Sequence, residues 1–280
     1  DPVKSAFDIV ADLPLKALED DPYQFYGWMR AEAPIVYVPE TGRVLVTTWD
    51  LCKEAGANDT VFGPTKEAHE TVYGCPNVMS MTGDGHRALR NAARVPVQPK
   101  AVKEIYENGI RKTVVRYIDS IRRRGAADAT LEIFEPISQR VIGDVLGFTD
   151  VDDATLSRWY PPPHEHPGRS GLDHLLRHGM PPGELRSIAD IAPTVGVLIV
   201  GGFQEPAHLI SNTLLGLFGR PDQAQRVASD PATWARPAVE EGLRWLPPFG
   251  FTEKLTTEAV TLGGRSHPRA DRDRPGDRLC

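Results

Sequence analysis

A chain of 280 residues is long enough for one large domain or two small ones with a substantial core. Its 40% hydrophobic and 25% charged residues are ordinary for a globular protein. The 32 basic residues against 38 acidic ones give a net charge of −6, with no dense basic patch in residues 1–264, which argues against nucleic acid as the main partner. The longest unbroken apolar-plus-glycine run, Val195 to Phe203, is nine residues, where a membrane span needs about 20, so no membrane partner is expected. Cysteines at 52, 75 and 280 are odd in number and lack zinc or pairing spacing, which suits a reducing, cytoplasmic setting.

Taken in chain order, Asp21-Pro22 caps a helix over Tyr23 to Ala33 that buries Phe25, Trp28 and Met29. Ile35 to Val38 and Val44 to Thr48 alternate apolar and polar residues around Pro39-Glu40-Thr41-Gly42-Arg43, a hairpin pattern. A short helix follows from Trp49 to Ala57, then loop-like sequence through residue 80. Asp84 starts another helix, on which His86 and Arg90 stand four apart on one face. Two adjacent cations of this kind suit a carboxylate pair or a phosphate, or simply a solvated face. Amphipathic helices are predicted over Val102–Arg124 and Leu131–Phe148.

Residues 160–171, with three consecutive prolines, read as a connector. His164, His166, His174 and His178 lie in or near it, but no acid or cysteine completes a metal set, and no metal site is expected. Ile191 to Phe218 is the longest mostly apolar segment and reads as a buried helix with a fault at Gly201-Gly202-Phe203-Gln204-Glu205-Pro206. Internal glycines cost about 1 kcal/mol each against alanine and an internal proline roughly 3. The fault therefore predicts either two helices joined by a turn, or one helix opened so that something can sit against its backbone. Pro231 to Trp245 is a further helix, with Glu241 and Arg244 three apart, ending at Pro247-Pro248. Such a pair is ordinarily a surface ion pair; Phe249 and Phe251 suggest instead that this end is packed. Val260 to Leu262 is a short strand ending in the turn Gly263-Gly264.

In this order the features resemble the cytochrome P450 family of heme monooxygenases, of the soluble bacterial kind. Asp21-Pro22-Tyr23 with its hairpin is similar to the family's opening, and His86-x-x-x-Arg90 to the helix that binds the heme propionates. Gly201-Gly202 resembles the oxygen-binding kink, and Glu241-x-x-Arg244 before Pro247-Pro248 the family's Glu-x-x-Arg helix. Lys254 falls where many members have a further propionate-binding arginine. The resemblance covers residues 1–160 and 172–264. It implies a mainly α fold with a small β-sheet, heme as cofactor, a small organic substrate and a ferredoxin or flavoprotein as electron donor.

It also marks departures. Gln204 and Glu205 occupy the positions of the family's proton-delivering acid and threonine, and the alcohol is missing. A partly buried Glu205 would have a raised pKa and could relay protons through water. No cysteine sits in the glycine-rich loop that supplies the family's axial thiolate. Residues 265–280 hold five arginines, three aspartates and two prolines and read as a disordered tail following a P450-like domain of residues 1–264. The 160–171 link stands where the roof helices would be, so the expected fold lacks both these and the heme-thiolate region. The expected chain is thus a P450-type oxygenase, inactive as it stands, or a non-catalytic remnant without heme.

Overall fold

The computed structural model describes residues 16, 21–38, 42–158, 170–269 and 278–279, which divide between two units. The first comprises Asp1–Thr71, Ser80–Thr82 and Phe251–Cys280; the second comprises Val72–Met79 and Gly83–Gly250. The loop tip at residues 39–41, the connector at 160–169 with His164 and His166, residues 270–277 and Cys280 lie outside the described residues.

The first unit is built on α1 (Pro22–Glu32), the hairpin β1 (Ile35–Val38) and β2 (Arg43–Val46), α2 (Trp49–Ala57), β3 (Phe62–Pro64) and α3 (Lys66–Tyr73). Asp21 caps α1 by accepting a hydrogen bond from the Tyr23 amide at 3.1 Å. Strand alternation in β1 serves two small cores: Ile35 joins Val44, Phe62 and Leu262, while Val36 and Val38 pack with Met29 of α1. The chain returns as β4 (Lys254–Thr256), β5 (Val260–Leu262), β6 (Arg265–His267) and β7 (Arg278–Leu279).

The expectation of a structureless tail after Gly264 is corrected here. Gly263 and Gly264 both have positive φ, 57° and 74°, the two-residue turn that matches strand twist. They fold β6 back on β5 with Leu262 opposite Arg265. A Cβ at Gly263 would stand 2.7 Å from Ile35 Cδ1, so the turn needs glycine for space as well. Further on, β7 lies inside the five-stranded sheet of order β1-β2-β7-β4-β3, parallel to β2 and antiparallel to β4. Composition missed both strands because main-chain pairing does not require apolar side chains.

His267 ends β6 at 4% exposure, and its Nε2 is buried with no hydrogen-bond partner among the described residues. Burial pushes its imidazole below the ordinary range, and the Arg265 charge adds to this against a hydrogen bond with the Leu262 backbone. The unfolded chain takes up this proton near pH 6.5, the folded one only at lower pH. Stability should therefore fall as pH drops below about 6.5 and level off below the folded value. Thermal melts of His267→Gln should show a shallower acid slope than the parent; an unchanged slope would remove His267 as its cause.

The second unit is helical. It contains α4 (Gly83–Arg94) and α5 (Glu107–Arg122), the latter entered through a π-helical turn, Val102–Tyr106. After these come α6 (Glu135–Leu146), α7 (Asp153–Arg158), α8 (Gly171–Arg177), α9 (Ile188–Phe218), α10 (Pro221–Ser229) and α11 (Pro231–Trp245). The most extensive packing joins α9 to α6 and to α11. Gly147 closes α6 in the left-handed region, φ 96°, as a helix C-terminus favours.

The fault in α9 takes neither expected form. The helix runs unbroken for 31 residues with Pro193 and Pro206 inside it. A proline ring presses on the carbonyl four residues earlier, and for Pro206 that residue is Gly202, whose backbone is the freest to adjust. The helix is also less buried than its composition suggests: only Ile191, Thr194, Val195, Ala207 and Thr213 are buried, and Leu215 and Phe218 are 58% and 76% exposed. By length and hydropathy α9 is long and apolar enough to cross a membrane. Its packing against α6 and α11 instead makes it the central helix of this unit.

Candidate functional site

The two glycines of α9 have different surroundings. A Cβ at Gly202 would lie 2.5 Å from Ile142 Cγ1 and 2.7 Å from its Cδ1, so this glycine lets α9 close on α6. A Cβ at Gly201 would meet nothing within 4 Å. Gly201 therefore presents bare backbone to open space, while Gly202 is a packing residue.

Glu205 stands four residues after Gly201, on the same face of the helix. Its Oε2 is buried and has no hydrogen-bond partner among the described residues. An orphaned carboxylate oxygen is costly where it is buried, and such groups mark strain, a catalytic role or an absent partner. Gln204 is exposed, so the two residues at the acid–alcohol positions part company: one faces solvent, the other turns inward.

His86 and Arg90 share one face of α4, His86 half-buried and Arg90 exposed. Arg90 makes no ion pair among the described residues, whereas its neighbour Arg87 is held by Asp84. The α4 helix packs on α8, and α8 packs on α9. Lys254 is half-buried on β4 and belongs to the other unit.

Glu241 and Arg244 form a two-pronged ion pair on α11, with Nε to Oε2 at 2.7 Å and the second prong at 2.6 Å. Arg244 holds the Glu241 carboxyl below the ordinary range. The expectation that this end is packed is corrected: both side chains are exposed, as are Phe249 at 62% and Phe251 at 59%. What α11 buries is Gly242, whose Cβ would fall 2.2 Å from Thr213 Oγ1 of α9.

Two positions that sequence reasoning missed hold this framework. Thr194 on α9 is fully buried and accepts the Val78 amide at 3.0 Å, anchoring the Val72–Met79 segment. Arg140 on α6 is buried; its Nε donates to Asp144 Oδ1 at 2.8 Å, and its terminal nitrogens donate to the carbonyls of Phe148 and Val151. A charged residue in the apolar stretch LEIFEPISQRVIGDVLGF was the available signal for it.

The chain is 25% identical to the C-19 steroid 1alpha-hydroxylase of Sorangium cellulosum, over 90% of this chain and 75% of that protein. It is 23% identical to the steroid C26-monooxygenase of Mycolicibacterium smegmatis, over 85% of this chain and 67% of the other. The structure of cytochrome P450 CYP109Q5 from Chondromyces apiculatus superposes with a TM-score of 0.79 at 18% identity, covering 94% of this chain and 73% of that one. The chain has the cytochrome P450 fold. No protein-family model matches this chain. A shorter stretch of 103 residues, 36% of the chain, is 39% identical to Protein AknT of Streptomyces galilaeus, covering 22% of that protein.

The P450 family is one of heme monooxygenases, so the residues above can be tested against that group. The bare Gly201 face, the buried Oε2 of Glu205 and the cations of α4 are of the chemistry that a flat macrocycle with two carboxylates takes. Neither described cysteine fits the iron ligand. Cys52 is an exposed residue of α2, in the first unit, and its thiol donates to the Val46 carbonyl at 3.2 Å. Cys75 is exposed in the segment whose Gly74 adjoins Pro193, near the start of α9 and about 12 Å along the helix from Gly201. Among the described residues no three or more His, Cys, Asp or Glu side chains cluster as for a metal ion.

Proposed function

We propose that this P450 chain provides the heme-docking and distal part of a monooxygenase for a small organic substrate, with a ferredoxin or flavoprotein supplying electrons. The observation that carries the reading is the open Gly201 face with the unpartnered, buried Glu205 oxygen one turn further on. His86 and Arg90 would bind the two propionates, with Arg90 offering a planar fork. Heme supplies reductive activation of dioxygen when bound. Glu205 would hold a proton at Oε2, and Gln204, which cannot ionise, would orient water at the edge. The sulfur for the iron comes from neither Cys52 nor Cys75 in this reading.

Titration of the chain with hemin tests it. Saturable binding is expected, weakened about tenfold by Arg90→Gln, the scale of one charge-assisted hydrogen bond. Binding unaffected by Arg90→Gln and His86→Gln would remove both as propionate ligands. Reduction under carbon monoxide should give no thiolate-type band; a band abolished by Cys280→Ser would assign the sulfur to that residue.

A second reading, a P450-fold protein that binds no heme and acts through its surfaces, is favoured by different observations. Gln204-Glu205-Pro206 has no alcohol, and Gly202 is occupied by its contact with Ile142. The 39% stretch is shared with a protein whose name states no oxygenase activity. Failure of hemin to bind a chain that melts cooperatively would decide for this reading.

A further inference from the structure

The end of α9 and helices α10 and α11 enclose a groove of about 530 Å³, within the range of small-molecule sites. It begins at Thr213, twelve residues beyond Gly201, or about 18 Å along the helix axis. It is therefore separate from the open Gly201 face. Its apolar walls include Leu215 and the indoles of Trp234 and Trp245. Gly216 lets the Trp245 ring lie against α9: a Cβ there would be 3.0 Å from Cζ3.

Three arginines and one acid line this groove, Arg220, Arg226, Arg244 and Glu241. Arg244 is satisfied by Glu241. Arg220 and Arg226 make no ion pair among the described residues, although Arg236 on the same pair of helices is matched with Glu240. The Arg226 guanidinium instead lies over the Trp234 ring, 5.0 Å from its centroid, an arrangement that holds a cation at an apolar wall. Two uncompensated guanidiniums beside two indoles are complementary to a molecule with an apolar body and one anionic group.

We propose that this groove is a binding site for an amphiphilic organic anion, a fatty or aromatic carboxylate or sulfonate, seated on Trp234 and Trp245 with its charge on Arg220 and Arg226. The proposal does not depend on whether heme binds. The test is a titration of the full chain with 8-anilinonaphthalene-1-sulfonate, followed by energy transfer from tryptophan. Saturable binding to the native chain is expected. The double variant Arg220→Gln, Arg226→Gln should weaken it about tenfold or more, given charge-assisted contacts of this kind. Arg236→Gln, whose side chain is 86% exposed and outside the groove, should leave it unchanged. Dodecanoate should displace the probe and dodecanol should not. Because both groove arginines are exposed, the double variant should melt like the parent. Unchanged probe affinity in that variant, or equal displacement by the neutral alcohol, would overturn the proposal. Binding seen only in partly unfolded protein would do the same.

Discussion

Arg140→Ala should lower stability by about 1–3 kcal/mol, the cost of leaving polar groups without their partner where the acids left behind are part-exposed. The guanidinium is 9% exposed, bridges to Asp144 at 2.7 Å and to Asp153 at 3.7 Å, and satisfies two carbonyls at the turn after α6. Burial already pushes the Asp144 carboxyl up, and Arg140 is the main group opposing that. Without it, a half-buried carboxylate and the Val151 carbonyl lose their partner, and the Phe148 carbonyl keeps only the Val151 amide at 3.3 Å. Arg140→Lys should recover only part of the loss, since an ammonium cannot span three acceptors in one plane. Chemical denaturation with a common slope measures both variants; a loss under 1 kcal/mol for Arg140→Ala would show that the turn is held by other contacts.

The consequence reaches the candidate site, because α6 is the helix on which α9 rests. Gly201→Ala should raise stability by about 0.5–1 kcal/mol, since the position is helical and open and alanine is the better helix former. Gly202→Ala should lower it by up to about 2 kcal/mol, the overpacking cost of 1–3 kcal/mol less the same helical gain. The Cβ contact is with Ile142, a β-branched residue that in a helix has one strongly preferred rotamer and cannot swing aside. Adding Ile142→Ala to Gly202→Ala should relieve the clash, so the pair should be less harmful than the sum of the singles. If heme lies against Gly201, Gly201→Ala should weaken hemin binding while the protein becomes more stable. A stabilised variant with unchanged hemin affinity would move the heme away from that face. Equal stability effects at the two glycines would show that α9 does not close on α6 through Gly202.

The sequence by itself determined the element order, because that order is written in local chemistry. Asp21-Pro22 starts α1, strand alternation runs through Ile35–Val38, and Gly263-Gly264 demands a tight turn. It also carried enough family signal to place His86, Arg90, Gly201, Gly202, Glu241 and Arg244 on helices, since their spacings of three, four or one are read against a helical period. Tertiary structure decided what each residue faces. Adjacent glycines look alike in sequence, yet helical rotation of about 100° per residue turns one toward Ile142 and the other toward open space. Glu241 and Arg244 looked packed from the aromatic residues that follow, but burial depends on which helices arrive from elsewhere in the chain. The strands after Gly264 were invisible to composition for the same reason: their hydrogen-bond partners, β2 and β4, are supplied by distant segments. Local patterns specify conformation; only the assembled neighbours specify environment, and the chemistry of this site is set by environment.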